Sequence, residues 1–103
     1  MRANNTLGII VNSNRYFSFV TSLADAALSN GKTVKIHLLG QGWEYIMTDA
    51  YQRLRHLARI TLCALSAGRI EPQDAHRFQN RIEMIPPQEL STILAGCNRY
   101  VVF

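Results

Sequence analysis

Two cysteines, three prolines and one tryptophan are all that this chain of 103 residues has of each, and the scarcities are informative. Cys63 and Cys97 cannot build the several bridges that staple a small secreted scaffold. They are also too few and too far apart for a zinc ribbon or finger, which needs about four ligands in close pairs; no metal site is expected. Few prolines, with a charged fraction of only 17% against 48% hydrophobic residues, exclude a disordered tail. No apolar run approaches the roughly 20 residues of a membrane span. The opening Met1-Arg2-Ala3-Asn4-Asn5, followed by the short run from Leu7 to Val11, lacks the longer apolar stretch of a signal peptide. No membrane association is expected, and the expected location is the cytoplasm, where both thiols stay reduced.

What remains describes one packed domain over 1–103, of a size that buries roughly 60–70% of the surface its unfolded chain exposes. The formal charge of +4 favours anionic partners, acidic proteins included. The arginines are scattered rather than gathered on one stretch, so no direct nucleic-acid contact is expected.

Apolar, β-branched runs alternate with helical stripes along the chain. The run 6–11, closed by Asn12-Ser13-Asn14, reads as a buried first strand, with Ser13 or Asn14 placed to cap the next helix. Phe17, Val20, Leu23, Ala24, Ala27 and Leu28 share one face of that helix, which Asn30-Gly31 stops. Residues 33–39 read as the second strand and Gly40-Gln41-Gly42 as a turn. Trp43, Ile46, Met47, Ala50, Tyr51, Leu54 and Leu57 then make a second helical stripe. A third strand is expected over 59–65, then a small-residue loop, Ser66-Ala67-Gly68. A short helix follows from Glu71-Pro72 through Ala75 and Phe78, then a strand over 81–85. A last helix carries Leu90, Ile93, Leu94 and Cys97 inward, and 100–103 form a fifth strand. This alternation predicts an α/β fold, a three-layer sandwich around a mainly parallel five-stranded sheet; we take its strand order to be flavodoxin-like.

Sites in such sheets lie beyond the carboxyl ends of the strands, which selects residues 12–16, 40–43 and 63–69. The candidate binding residues there are Asn12, Arg15, Tyr16, Gly42, Trp43, Ser66 and Arg69. Gly40-Gln-Gly42 lacks the spacing of a dinucleotide fingerprint, no phosphate-loop motif exists, and no nucleophile elbow is present. His37, His56 and His76 are dispersed, as are the carboxylates, so neither a metal cluster nor an acid–base pair is indicated and no cofactor is expected. Cys63 is different: it stands at the end of the third strand, ahead of a loop of mostly small side chains, with Arg15 and Arg69 as candidates to favour its thiolate. Free cysteine is equally at home as a small buried hydrophobe, so a reactive and an inert Cys63 both stay open. Cys97 continues an inward stripe and reads as structural. Phe19 and Tyr45 fall off their helical stripes, which suggests burial between copies of the chain and hence a homo-oligomer.

The order of these features resembles the DsrE/DsrF-like sulfur-relay family, in its DsrE/TusD-like branch. The resemblance covers nearly the whole chain. It rests on Leu7-Gly-Ile-Ile-Val11, on Val34 to Gly42 followed by Trp43, on Cys97-Asn-Arg-Tyr-Val-Val-Phe103, and most sharply on Ile60-Thr-Leu-Cys63-Ala-Leu-Ser-Ala-Gly-Arg-Ile-Glu-Pro-Gln-Asp74. It implies a single DsrE-like domain whose Cys63 carries sulfane sulfur as a persulfide, taken from a donor protein of the TusA-like kind and given to an acceptor thiol. It also implies assembly as a dimer, trimer or hexamer, in some cases with sister subunits, in tRNA thiolation or sulfur oxidation. The stretch from Cys63 to Arg69 is shorter than in the TusD type, and the Gly40–Trp43 stretch departs from the family pattern. Two alternatives stand beside this reading: a non-catalytic interaction subunit of the same fold, and a small-ligand or nucleotide-binding module.

Overall fold

Uncharged and rich in β-branched side chains, Thr6–Val11 forms strand β1, and from Leu39 onward the chain returns past its carboxyl end. The computed structural model describes residues 5–68, 70–75 and 82–103. Helix α1 (Phe17–Ser29) leads to β2 (Thr33–Leu38); a 3-10 helix over Gly40–Met47 and α2 (Asp49–Leu54) lead to β3 (Arg59–Cys63). Short helices α3 (Ala64–Ala67) and α4 (Pro72–Ala75) precede β4 (Glu83–Ile85). A 3-10 turn, Pro87–Glu89, opens α5 (Leu90–Ala95), and β5 (Arg99–Val102) ends the sheet.

All four ladders are parallel, in the order β4-β3-β2-β1-β5. This departs from the flavodoxin-like 2-1-3-4-5 order. Three successive crossovers step the chain from β1 to β4 in one direction, and only the last returns it past β1. Right-handed crossovers in one direction place their helices on one face, and the packing agrees. Ile9, Val11, Val34, Ile36, Leu38, Ile60 and Leu62 form one core with Val20, Ala24 and Ala27 of α1 and with Tyr45, Ile46, Tyr51 and Leu54. On the opposite face Ile10, His37, Thr61, Cys63 and Ile85 are buried outside that core. The segment of α5 lies on this side: a methyl added at Gly8 would sit 2.8 Å from Cys97 Sγ, and one at Gly96 would sit 3.1 Å from Lys35 Nζ. The predicted three-layer α/β architecture is therefore present, with unequal outer layers.

Several local expectations shift. The single stripe from Trp43 to Leu57 is two helices, broken where Thr48 turns extended (ψ 156°) and caps α2 by accepting Tyr51 N–H. The first of these winds with about three residues per turn rather than 3.6. Its phase therefore turns Tyr45 into the core, wholly buried, and leaves Met47 39% exposed. Tyr45 is no interface residue. β3 stops at Cys63, not Leu65, because the chain coils directly into α3. The N-cap of α1 is Tyr16 with no side-chain cap bond; Asn14 turns instead to the Glu44 carboxylate, and Ser13 Oγ accepts Arg15 N–H. The C-terminal stop holds: Asn30 Nδ2 donates to Ala26 O at 2.8 Å, and Gly31 takes φ 77°. Arg69, His76, Phe78 and Arg81 lie outside the described residues.

Candidate functional site

Three loops meet beyond the carboxyl ends of β1, β2 and β3. Leu39 N–H donates to Val11 O, which draws the chain after β2 against the end of β1. There Gly40 takes φ 55°, a left-handed conformation open to glycine at little steric cost; a side chain at that point would also run into Asn12 Oδ1 at 2.5 Å. From the third loop, the buried Ser66 of α3 accepts Gly40 N–H at 2.8 Å, tying the β2 and β3 loops together. Gly42 is set so close to Val11 that a methyl there would overlap the Val11 carbonyl oxygen.

These ties leave a cavity of about 280 Å³ lined by Asn12, Leu39, Gly40, Cys63, Leu65 and Ser66. Cys63, the last residue of β3, is a free thiol and 7% exposed, so it forms part of the cavity wall without projecting from the surface. The rim is wetter: Asn12 is exposed and Leu65 is 71% exposed. Among the described residues no lining side chain carries a charge. Among the described residues the polar groups at hand are the Asn12 amide and the Ser66 hydroxyl; Ser66 Oγ accepts from Gly40 and keeps its own proton to donate.

Of the residues singled out in the sequence, Asn12, Cys63 and Ser66 come together here. Arg15 and Tyr16 do not line the cavity: both are exposed, and the Tyr16 ring lies 6.3 Å from Phe103 and 6.4 Å from Phe19. Trp43 packs half-buried against the core, and Gly42 is wedged on β1. Arg69 lies outside the described residues. Leu39 lies just outside the stretches selected from the sequence; Leu65 lies within 63–69 but is not among the named binding residues, because it reads as strand until α3 is seen to begin at Ala64.

A buried polar pair, not evident in the sequence, forms the floor beside the site. His37 Nδ1 lies 2.8 Å from Thr61 Oγ1, and both residues are 3% exposed. The direction of that bond follows the imidazole tautomer, and Thr61 Oγ1 also lies 3.5 Å from Ile36 O, which can take its proton. Burial pushes the His37 pKa below the usual imidazole range. Thr61 is two residues before Cys63, hence on the same face of β3. The only sequence signal was alternation along β2, where Lys35 and His37 share the face opposite Val34, Ile36 and Leu38.

Cys97 is half-buried and donates from Sγ to Ile93 O at 3.3 Å, as a structural thiol would. It packs at Gly8, early in β1, whereas Cys63 closes β3 at the other end of the sheet, and no disulfide joins them. A second hollow of about 150 Å³, lined by Asn5, Thr6, Leu7, Lys32, Asn98 and Arg99, lies at the amino ends of β1 and β5. Among the described residues no group of three His, Cys, Asp or Glu side chains could hold a metal ion, and no helix is long and apolar enough to cross a membrane. No family model matches the chain, and no curated protein matches it.

Proposed function

We propose that this chain is a sulfur-relay protein in which Cys63 takes a sulfane sulfur from a donor persulfide, holds it, and passes it to an acceptor thiol. The observation that carries the reading is a thiol in the wall of an open cavity at the carboxyl ends of parallel strands. The family resemblance, which sets Cys63 at the persulfide position, supports it. In the loading step the Cys63 thiolate attacks the terminal sulfur of the donor persulfide. A new Sγ–S bond forms, the donor S–S bond breaks, and the donor leaves as its thiolate. Unloading repeats the exchange, with the acceptor thiolate attacking the terminal sulfur on Cys63 and Sγ leaving. Neither step needs an oxidant or reductant, and both follow the rules of thiol–disulfide exchange.

The cavity has room for one further sulfur atom and an approaching thiol. The Asn12 amide and the Ser66 hydroxyl are the hydrogen-bond donors at hand for a persulfide anion. Leu65 on the rim gives a donor or acceptor protein an apolar contact. The same reading places the protein in the cytoplasm, with a TusA-like donor and self-association as a dimer, trimer or hexamer, with or without sister subunits.

The low exposure of Cys63 favours a second reading, a non-catalytic interaction subunit with an inert thiol. A nucleotide module fares worse, since the sequence has no phosphate-loop motif and no cation lines the cavity among the described residues. The test is intact-mass measurement after incubation with inorganic polysulfide. We expect the gain of one sulfur in the unaltered chain and in Cys97→Ala, and none in Cys63→Ala. Loading on Cys97 alone, or on neither thiol, overturns the reading.

A further inference from the structure

Among the described residues the sheet ends on one side in an apolar edge that nothing covers. β5 pairs with β1, and among the described residues no strand pairs with its other side. Every residue of the strand is exposed: Tyr100 at 54%, Val101 at 37% and Val102 at 60%. Natural sheets blunt such edges with charge, proline, bulges or extreme shortness. The opposite edge follows that rule, since β4 has three residues and its Glu83 carboxylate is held by Arg59 at 2.8 Å. β5 carries one charge, Arg99, at its first residue, whose side chain makes no hydrogen bond or ion pair among the described residues. The apolar surface continues past the strand, because Phe103 meets Tyr16 and Tyr16 meets Phe19, themselves 42% and 63% exposed.

We propose that β5 is the seat of a second copy of this chain, the two sheets joining antiparallel across a two-fold axis. Two copies of one edge related by a two-fold always meet antiparallel, so each residue faces the one that mirrors it about the axis. Setting Arg99 opposite its own copy is disfavoured by like charge. Setting Val101 on the axis places Tyr100 beside the partner's Val102, an aromatic with β-branched pair of the favourable kind. It also brings the unpaired Arg99 beside the partner's Phe103, where a guanidinium can lie over an aromatic face.

The area agrees with a reversible dimer. A wholly covered aromatic side chain buries roughly 150–250 Å², and the exposed parts of Tyr16, Phe19 and Tyr100 amount to about one and a half such side chains. Over two protomers these rings alone offer roughly 500–800 Å², with the valines and flanking chain to be added. That reaches at most the low end of the roughly 1,200–2,000 Å² of a stable complex. An interface of that size belongs with weak, reversible associations, so the dimer is sought by dilution.

The proposal gives a surface to the self-association in the functional reading above and does not depend on the chemistry of Cys63. Analytical ultracentrifugation from low to high micromolar concentration tests it, with circular dichroism as a check on folding. The unaltered chain and Cys63→Ala should rise from the 11.7 kDa monomer toward twice that mass. Val102→Lys and Tyr100→Lys should each shift the transition at least tenfold to higher concentration. Leu57→Lys, at another exposed apolar residue far along the chain, should leave it unchanged. A strict monomer overturns both the edge and the self-association. An assembly untouched by either lysine on β5 overturns the edge alone, and sulfur loading of Cys63 is read separately by mass.

Discussion

Gly42→Ala offers the sharpest test of how the loops beyond β1 and β2 are built. The added methyl would overlap the Val11 carbonyl oxygen and lie 3.1 Å from Val11 Cγ1. That oxygen already accepts Leu39 N–H at 3.0 Å, so it cannot swing away without losing a bond that ties β1 to the segment after β2. Overpacking against a fixed backbone costs about 1–3 kcal/mol, and the disturbed hydrogen bond adds about 1 kcal/mol. A loss of about 3 kcal/mol is large against the roughly 5–15 kcal/mol that keeps a domain folded. It should lower Tm by about 12–24 °C for a chain of this length. Gly68→Ala is the control: Gly68 has an ordinary helical φ of −68° and its added methyl would meet Leu65 O at a normal 3.5 Å. That change should leave Tm unchanged or raise it slightly through the unfolded chain. Thermal denaturation of both variants decides, and Gly42→Ala melting within about 4 °C of the unaltered protein would refute the packing argument.

Two further outcomes follow from buried polar pairs. Burial holds His37 neutral in the folded protein, so the unfolded chain takes up the proton first as the solution is acidified. Stability is full above the unfolded imidazole value of about 6.5 and is lost as pH falls below it toward the depressed folded value. Urea midpoints for His37→Asn should therefore depend less on pH between about 7 and 5 than those of the unaltered chain; equal slopes would contradict this. Thr21 Oγ1 lies 2.6 Å from the hydroxyl of the wholly buried Tyr45. Thr21→Val should cost about 1–3 kcal/mol by stranding that hydroxyl, and adding Tyr45→Phe should recover much of the loss. A double variant no more stable than Thr21→Val would exclude the pair as the cause.

The order of strands and helices was legible because uncharged runs such as Thr6–Val11 and the 3–4 spacing in α1 each have one stable reading. Strand order was not, because nothing local says which crossover carries the chain back past β1. The inward turn of Tyr45 was hidden by a 3-10 stretch whose period differs from the one used to read the stripe. Cys63 at a strand end was visible from its setting, as were Asn12 and Ser66. The closure of the site through Gly40 and Ser66 was not, since it joins loops 26 residues apart in the chain. The His37–Thr61 pair escaped for the same reason, its partners meeting only through the register of β2 on β3.

The functional account stands on the thiol at position 63 being reachable in the folded state. Its most direct test is the rate at which native Cys97→Ala gains sulfur from polysulfide, set against the rate of the same chain unfolded in urea. The account predicts that the folded protein loads at a rate comparable to or above that of the unfolded chain. Sulfur uptake that appears only on unfolding would contradict it and leave the interaction-subunit reading in its place.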